Sequence, residues 1–231
     1  LALELGFSDH AHFTRAFFDF LRDLKKHNDR GWFADNKTRY VQDVQDPFLQ
    51  FIGDFEPRLK QISRAYVADK RKMGGSMFRI YRDTRFSPDK SPFKTWIAAR
   101  FPHEARRKVE GGVPGFFLHV GPGDSFGGGG VYHIGLPQLT KIRRRILDEP
   151  RAWKAAVNGI GVEGEQLKRA PAGFPATHEH IEDLRRHQLY TLAPFTEKDV
   201  IADRFIDQFT ESCERAAPLI EFQTKALGLR W

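Results

Sequence analysis

The run Phe78-Arg79-Ile80-Tyr81-Arg82-Asp83-Thr84-Arg85-Phe86-Ser87-Pro88-Asp89-Lys90-Ser91-Pro92-Phe93-Lys94 concentrates more potential chemistry than any other part of the chain. Guanidinium forks suit planar or tetrahedral oxyanions, and an ammonium adds a point charge. Asp83-Thr84 and Ser87-Pro88-Asp89 are turn formers, so tight bends could gather Arg79, Arg82, Arg85, Lys90 and Lys94 around a phosphate or carboxylate. On a strand starting at Phe78, Arg79 and Tyr81 would share one face, and Phe78, Ile80 and Arg82 the other. Asp83 and Asp89 then either hold the arginines in place or, with neighbouring hydroxyls, ligate a hard cation. A plain salt-bridge network accounts for the same residues. If the segment serves an enzyme, Arg79, Arg82 and Arg85 would stabilise charge and Lys90 and Lys94 would orient the ligand. Asp83 or His119 would be the acid or base. No nucleophile–base pair stands out, and catalysis stays open.

A second stretch runs from Phe116 to His133 and holds Gly121-Pro122-Gly123-Asp124-Ser125-Phe126 followed by Gly127-Gly128-Gly129-Gly130. Successive glycines serve a wide turn needing positive φ, or a place where a ligand approaches backbone N–H groups. On the second reading Gly128 and Gly129 join the anion site. The loop is neither a Walker A motif nor a dinucleotide fingerprint. His119 and His133 fall on neighbouring predicted strands with Asp124 between them, and two imidazoles with a carboxylate can hold a metal. Nothing in the spacing fixes their distance, and hydrogen-bonded structural histidines fit equally well. His178 and His180 read as a solvated helix start, and Cys213 as a small buried apolar residue.

The charge distribution points the same way. Arg79, Arg82, Arg85, Lys90, Lys94, Arg100, Arg106, Arg107 and Lys108 stand against only Asp83, Asp89 and Glu104, so nearly all of the net +7 lies in that one segment. Such a field favours an anionic partner, whether a small ligand or nucleic acid; a solvated strand edge is the plainer account. Phe78, Tyr81, Phe86, Phe93 and Trp96 interleave with the cations, as a stacking platform for single strands requires. With one cysteine, neither an internal disulfide nor a cysteine-based zinc site is available. No apolar run approaches the ~20 residues that span a bilayer, and no charged-then-apolar leader opens the sequence. A soluble, cytoplasmic protein is the expectation.

The elements that must position these residues follow from periodicity. Phe17, Phe20, Leu21 and Leu24 lie on one helical face, and a short helix is predicted from Trp32 to about Val44. Asp46-Pro47 reads as N-cap and first residue of a further helix carrying Phe48 to Ile62, with a kink or break at Pro57. Met77–Tyr81, Thr95–Phe101, Gly115–Val120 and Gly130–Ile134 read as strands, with Leu189–Ala193 as one more. Their connections are too short for helical crossovers, which predicts an antiparallel or mixed sheet. Helices return at Leu136–Leu147, Arg151–Val157, Glu179–Gln188 and Glu197 to about Ala226, the last broken at Pro218. Helices, a central sheet, then helices give the α+β class, with residues 17–231 expected as a single domain.

Two resemblances rest on these residues. Phe18-Asp19-Phe20-Leu21-Arg22-Asp23-Leu24-Lys25-Lys26-His27-Asn28-Asp29-Arg30-Gly31-Trp32-Phe33, the Phe78–Lys94 block, Leu118–Phe126 and Leu167-Lys168-Arg169-Ala170-Pro171-Ala172-Gly173-Phe174 resemble the family called domain of unknown function 2461. The resemblance implies a single α+β domain and brings no catalytic residues with it. Leu1-Ala2-Leu3-Glu4-Leu5-Gly6-Phe7-Ser8-Asp9-His10-Ala11-His12-Phe13-Thr14-Arg15-Ala16-Phe17 resembles the second helix-turn-helix of AraC-type regulators, whose recognition helix enters the major groove. The supporting helices are absent, so residues 1–16 are taken as an extension and DNA binding is not assigned to them.

Overall fold

Phenylalanine builds the first layer of the core. In a computed structural model that describes residues 11–231, helix α1 (Arg15–Lys26) buries Phe17, Phe18, Phe20, Leu21 and Leu24. Most of the segment resembling a helix-turn-helix lies outside the described residues. Of its remainder, Phe13 is buried against Phe17, Phe48, Phe51 and Phe205, and therefore belongs to the same core. Helix α2 (Arg30–Asp35) starts where the Asp29 carboxylate accepts from the Trp32 amide at 2.9 Å, a side-chain cap for an otherwise orphaned donor.

Helix α3 (Lys37–Tyr40) does not stop before Asp46. It continues through a wide π turn (Val41–Gln45) into α4 (Asp46–Ile62), with the Asp46 amide reaching back to the Val41 carbonyl. Asp46 is thus an interior residue rather than the expected N-cap. The extra residue in that turn gives room to Pro47, which has no N–H to continue an ordinary one. Pro57 does not break α4, nor does Pro218 break the long C-terminal helix α9 (Phe205–Ala226). An interior proline costs about 3 kcal/mol. Each buried Phe or Leu around it returns ~1.5–3 kcal/mol, and Phe51, Ile52, Phe55 and Leu59 flank Pro57.

The centre is a four-stranded antiparallel sheet in the order β1 (Ile97–Pro102), β2 (Gly115–Val120), β3 (Ser125–Val131), β4 (Leu189–Phe195). Three of the expected strands are present, with shifted ends at β1 and β4. Two expectations are corrected. Met77–Tyr81 is not a strand: Met77 and Tyr81 each make a single bridge, to Ala99 and Phe93. The segment leaves the edge of β1 to form its own hairpin. The glycine run is not a loop either; it is the body of β3. Strand alternation sends Ile97, Ala99, Phe101, Phe116, Leu118 and Val120 into the core beneath α9 and α4. Gly127 and Gly129 share that face, and a methyl there would stand 2.7 Å from the Phe209 ring and 2.6 Å from Ile220 Cδ1 respectively. The glycines exist so that α9 can lie directly on the sheet.

Helices α5 (Leu136–Asp148) and α6 (Pro150–Ala156) close a second cluster with Val131, Leu189, Leu219 and Phe222. The polar stretch expected as a helix from Glu179 to Gln188 narrows to α7 (Ile181–Leu184). A capping box at Thr196 and Asp199 opens α8 (Glu197–Val200), which is separated from α9 by a turn. The class is α+β, with helices before and after a mid-chain sheet. Among the described residues no helix is long and apolar enough to cross a membrane.

Candidate functional site

The hairpin that carries the cations is held by backbone and by a distant amide. Arg82 N donates to Pro92 O at 2.9 Å and Lys94 N to Ile80 O at 2.8 Å, which pairs the two arms. Ile80 and Phe93 are buried, and the Phe93 ring stacks on Phe33 at 4.1 Å. The Asn28 side chain, just beyond α1, donates to Phe93 O and accepts from Phe93 N, both at 3.0 Å. Because the arms are irregular, the expected two-faced alternation fails at Phe78, which lies at the surface while Ile80 points inward.

The five cations divide into two kinds. Arg82 is ion-paired with Asp89 and donates to Ser91 Oγ at 2.6 Å. Arg85 forks the Asp83 carboxylate at 2.9 and 2.7 Å. Asp83 is consequently pulled down to about 2, chiefly by the Arg85 side chain. Asp89 lies below the usual carboxylate range because the Ser91 amide, then Arg82, bond to its charged form. Both acids are ionised at neutral pH, so neither has a proton to give. Arg79, Lys90 and Lys94, by contrast, have no carboxylate partner among the described residues. Lys90 Nζ donates to Thr84 O at 2.9 Å, and Lys94 Nζ to Arg79 O at 2.7 Å. The Lys94 ammonium also sits 5.1 Å from the Trp96 ring centroid and 5.6 Å from that of Phe78, a cation–π arrangement. Burial, then the positive charge of Arg79, make its proton less tightly held. The same Arg79 charge also acts on Asp83 and helps to keep that carboxylate ionised.

Beside these groups lies a cleft of about 520 Å³, lined by Lys25, Asn28, Arg82, Ser91, Lys94 and Trp96 together with Asp83, Asp89, Phe93 and Thr95. The structure therefore joins Arg82 and Lys94 in one opening, with Arg79 near enough to act on Lys94. It turns Arg85 toward Asp83 and leaves Lys90 on the loop. Sequence reasoning missed Lys25 and Asn28. Their signal was the polar break His27-Asn28-Asp29 after an amphipathic helix, which says that the helix ends there and nothing about what it faces.

The remaining candidates lie elsewhere. Gly128 and Gly129 are inside β3, paired on both edges to β2 and β4, and do not line the cleft. His119 is buried on β2 with its ring stacked on Phe126 at 4.6 Å and tilted on Trp96 at 4.7 Å. Its Nε2 has no hydrogen-bond partner and lies 3.5 Å from Asp124 Oδ2. Burial lowers its proton affinity, with Asp124 opposing. His133 lies beyond the other end of β3, so it is not brought to His119 and Asp124. Among the described residues no three His, Cys, Asp or Glu side chains stand where they could hold a metal ion. Cys213 is buried, as expected; burial pushes its thiol well above its ordinary range.

The family model described as "Conserved hypothetical protein (DUF2461)" matches residues 16–222. The chain belongs to this family. No curated protein and no solved structure matches the chain. The match to DUF2461 spans α1, the cation-bearing hairpin, the whole sheet and most of α9, so every wall of the cleft lies inside it. The family's description states no activity and supplies no catalytic residue.

Proposed function

We propose that this DUF2461 protein binds a small anionic ligand, a phosphate or carboxylate group, in the cleft between the end of α1 and the Ile80–Lys94 hairpin. Lys94 and Lys25 supply charge, and Ser91, Asn28 and Thr95 are the neutral polar groups beside them. The Arg82 fork is pre-set by Asp89, and Asp83 and Asp89 act as struts for the arginines. The observation that supports this reading is Lys94 beside Lys25 at an opening of ligand size: among the described residues neither ammonium is ion-paired to a carboxylate, and Arg79 is near enough to act on Lys94. Burial, then the positive charge of Arg79, weakens Lys94's hold on its proton, and an anion there would offset both. A purely structural salt-bridge reading accounts for Arg82 and Arg85 but not for the gathering of two further ammonium groups, Lys25 and Lys94, at the same opening.

The test is an NMR titration of the full chain with inorganic phosphate and pyrophosphate, following the Trp96 indole N–H. The expected result is a saturable shift that is weakened at least ten-fold in Lys94→Gln and in Lys25→Gln, with melting temperatures unchanged. A Trp96 signal indifferent to either anion at millimolar concentration would overturn the reading.

A further inference from the structure

The hairpin has a property that an anion cleft does not need. Of the large apolar side chains exposed among the described residues, Met73, Phe78, Tyr81 and Phe86 cluster in one stretch, leaving only Tyr132 and Leu136 elsewhere. Phe86 is 94% exposed, Tyr81 58% and Phe78 36%. Several such side chains in one short stretch offer apolar surface for a contact. Two of these rings sit beside a cation: the Arg85 guanidinium lies 5.8 Å from the Phe86 ring centroid, and Lys94 5.6 Å from that of Phe78. The segment from Arg79 to Lys108 also holds nearly all of the chain's excess positive charge.

We infer that the exposed rings of Phe78, Tyr81 and Phe86, with Arg79, Lys90 and Lys94, form a landing surface for single-stranded nucleic acid. This rests on the anion-cleft reading: a backbone phosphate of the strand occupies the cleft, and unpaired bases stack on the rings. Stacking is tolerant of sequence because every base has a π face, and cations between the rings follow the phosphates. Duplex bases are already stacked and cannot use such rings. An anionic membrane would also meet aromatic and basic groups, but the geometry argues against it. In the sequence Phe86 falls between Asp83 and Asp89, which are ion-paired with Arg85 and Arg82, and driving that ring into hydrocarbon would strip water from these charged groups. A strand lying over the hairpin leaves them wet.

The salt dependence follows from the three unmatched cations. Neutralising about three phosphates of a single strand gives a slope of roughly −2 in log K against log salt. Raising salt from about 50 to 200 mM should then weaken binding roughly 20-fold. The experiment is fluorescence anisotropy of the full chain with a labelled oligothymidylate of about twelve nucleotides, within the usual site range. Phe86→Ala is the cleaner variant because that side chain is almost fully exposed; Tyr81→Ala also removes ring contacts to buried Phe33 and Phe93, so its melting temperature is measured alongside. Parallel titrations use pyrophosphate, a duplex of equal length, and phosphatidylserine vesicles. The expected result is binding with that salt slope, weakened about five-fold or more by either ring variant, with pyrophosphate binding unaffected by them. Pyrophosphate binding without oligonucleotide binding at low salt overturns the strand proposal and spares the cleft. Failure of both probes removes the cleft reading as well. Oligonucleotide binding indifferent to both ring variants, equal affinity for the duplex, or tighter binding to vesicles that is lost in Phe86→Ala each overturns the proposal.

Discussion

Gly128→Ala tests whether the close approach of β4, on the face away from Gly127 and Gly129, also requires glycine in β3. A methyl built at Gly128 would lie 2.1 Å from Thr191 O and 3.1 Å from Leu192 Cα, both backbone atoms of β4, and Gly128 has φ +153°. Carbon atoms pack comfortably at about 3.5 Å or more, so β4 would have to retreat by roughly 1 Å from a ladder it is bonded to. Overpacking of this kind costs about 1–3 kcal/mol, and a side chain held at such a φ about 1–3 kcal/mol more. The sum centres near 4 kcal/mol, which for a chain of this size lowers the melting temperature by roughly 8–16 °C. Gly123→Ala is the matched control: its φ is +73°, with no atom within 4 Å of the added methyl, so only the left-handed penalty of about 1–2 kcal/mol applies. Urea unfolding followed by circular dichroism, with thermal melts alongside, measures both. If the two variants lose the same stability, the close approach of β4 is not what requires glycine at this position.

Three further outcomes are expected. The Asp83 carboxyl, followed by carbon NMR, should titrate near 2 and return toward its ordinary 3.8 in Arg85→Gln; an ordinary value in the parent chain would mean the fork with Arg85 does not persist. Because the folded value is the depressed one, the stabilisation from this pair is complete above the ordinary value and is lost as pH falls through about 2. His119 should stay neutral below its ordinary 6.5, so its contribution is complete above that pH and lost as pH falls through its depressed folded value; a normal histidine titration by proton NMR would contradict its burial between Trp96 and Phe126. In Tyr66→Phe a buried hydroxyl bonded to Thr224 Oγ1 at 2.6 Å disappears while Thr224 keeps its bond to Ile220 O. A loss of about 1 kcal/mol is expected in urea unfolding, and no loss would mean the bond is no better than its exchange with water.

Much of this fold was legible because apolar period encodes it. Phe17, Phe20, Leu21 and Leu24 announced α1, and Gly115–Val120 is a strand at the residues its β-branched and aromatic pattern indicated. The glycine strand was illegible for a physical reason: with no side chains there is no alternation to read, and the atoms that demand glycine belong to α9 and β4, far along the chain. At Pro57 and Pro218 the helices continue for the opposite reason: a local breaking tendency is outweighed by burial that only the tertiary structure supplies. The candidate site was half legible. Arg79, Arg82 and Lys94 could be singled out by type and spacing. Their division into paired and unmatched cations depends on which carboxylate each side chain happens to reach. Lys25 and Asn28 come from another element altogether.

The clamp between Asn28 and Phe93 ties the cationic hairpin to the beginning of the chain. Two hydrogen bonds from one amide replace the sheet neighbours that this hairpin lacks, so the hairpin and the end of α1 form a single mechanical unit. Any occupant that tugs on Lys94 also loads the first helix. Solvent exchange at the Phe93 amide, more than any change in the sheet, would then report whether the opening is filled.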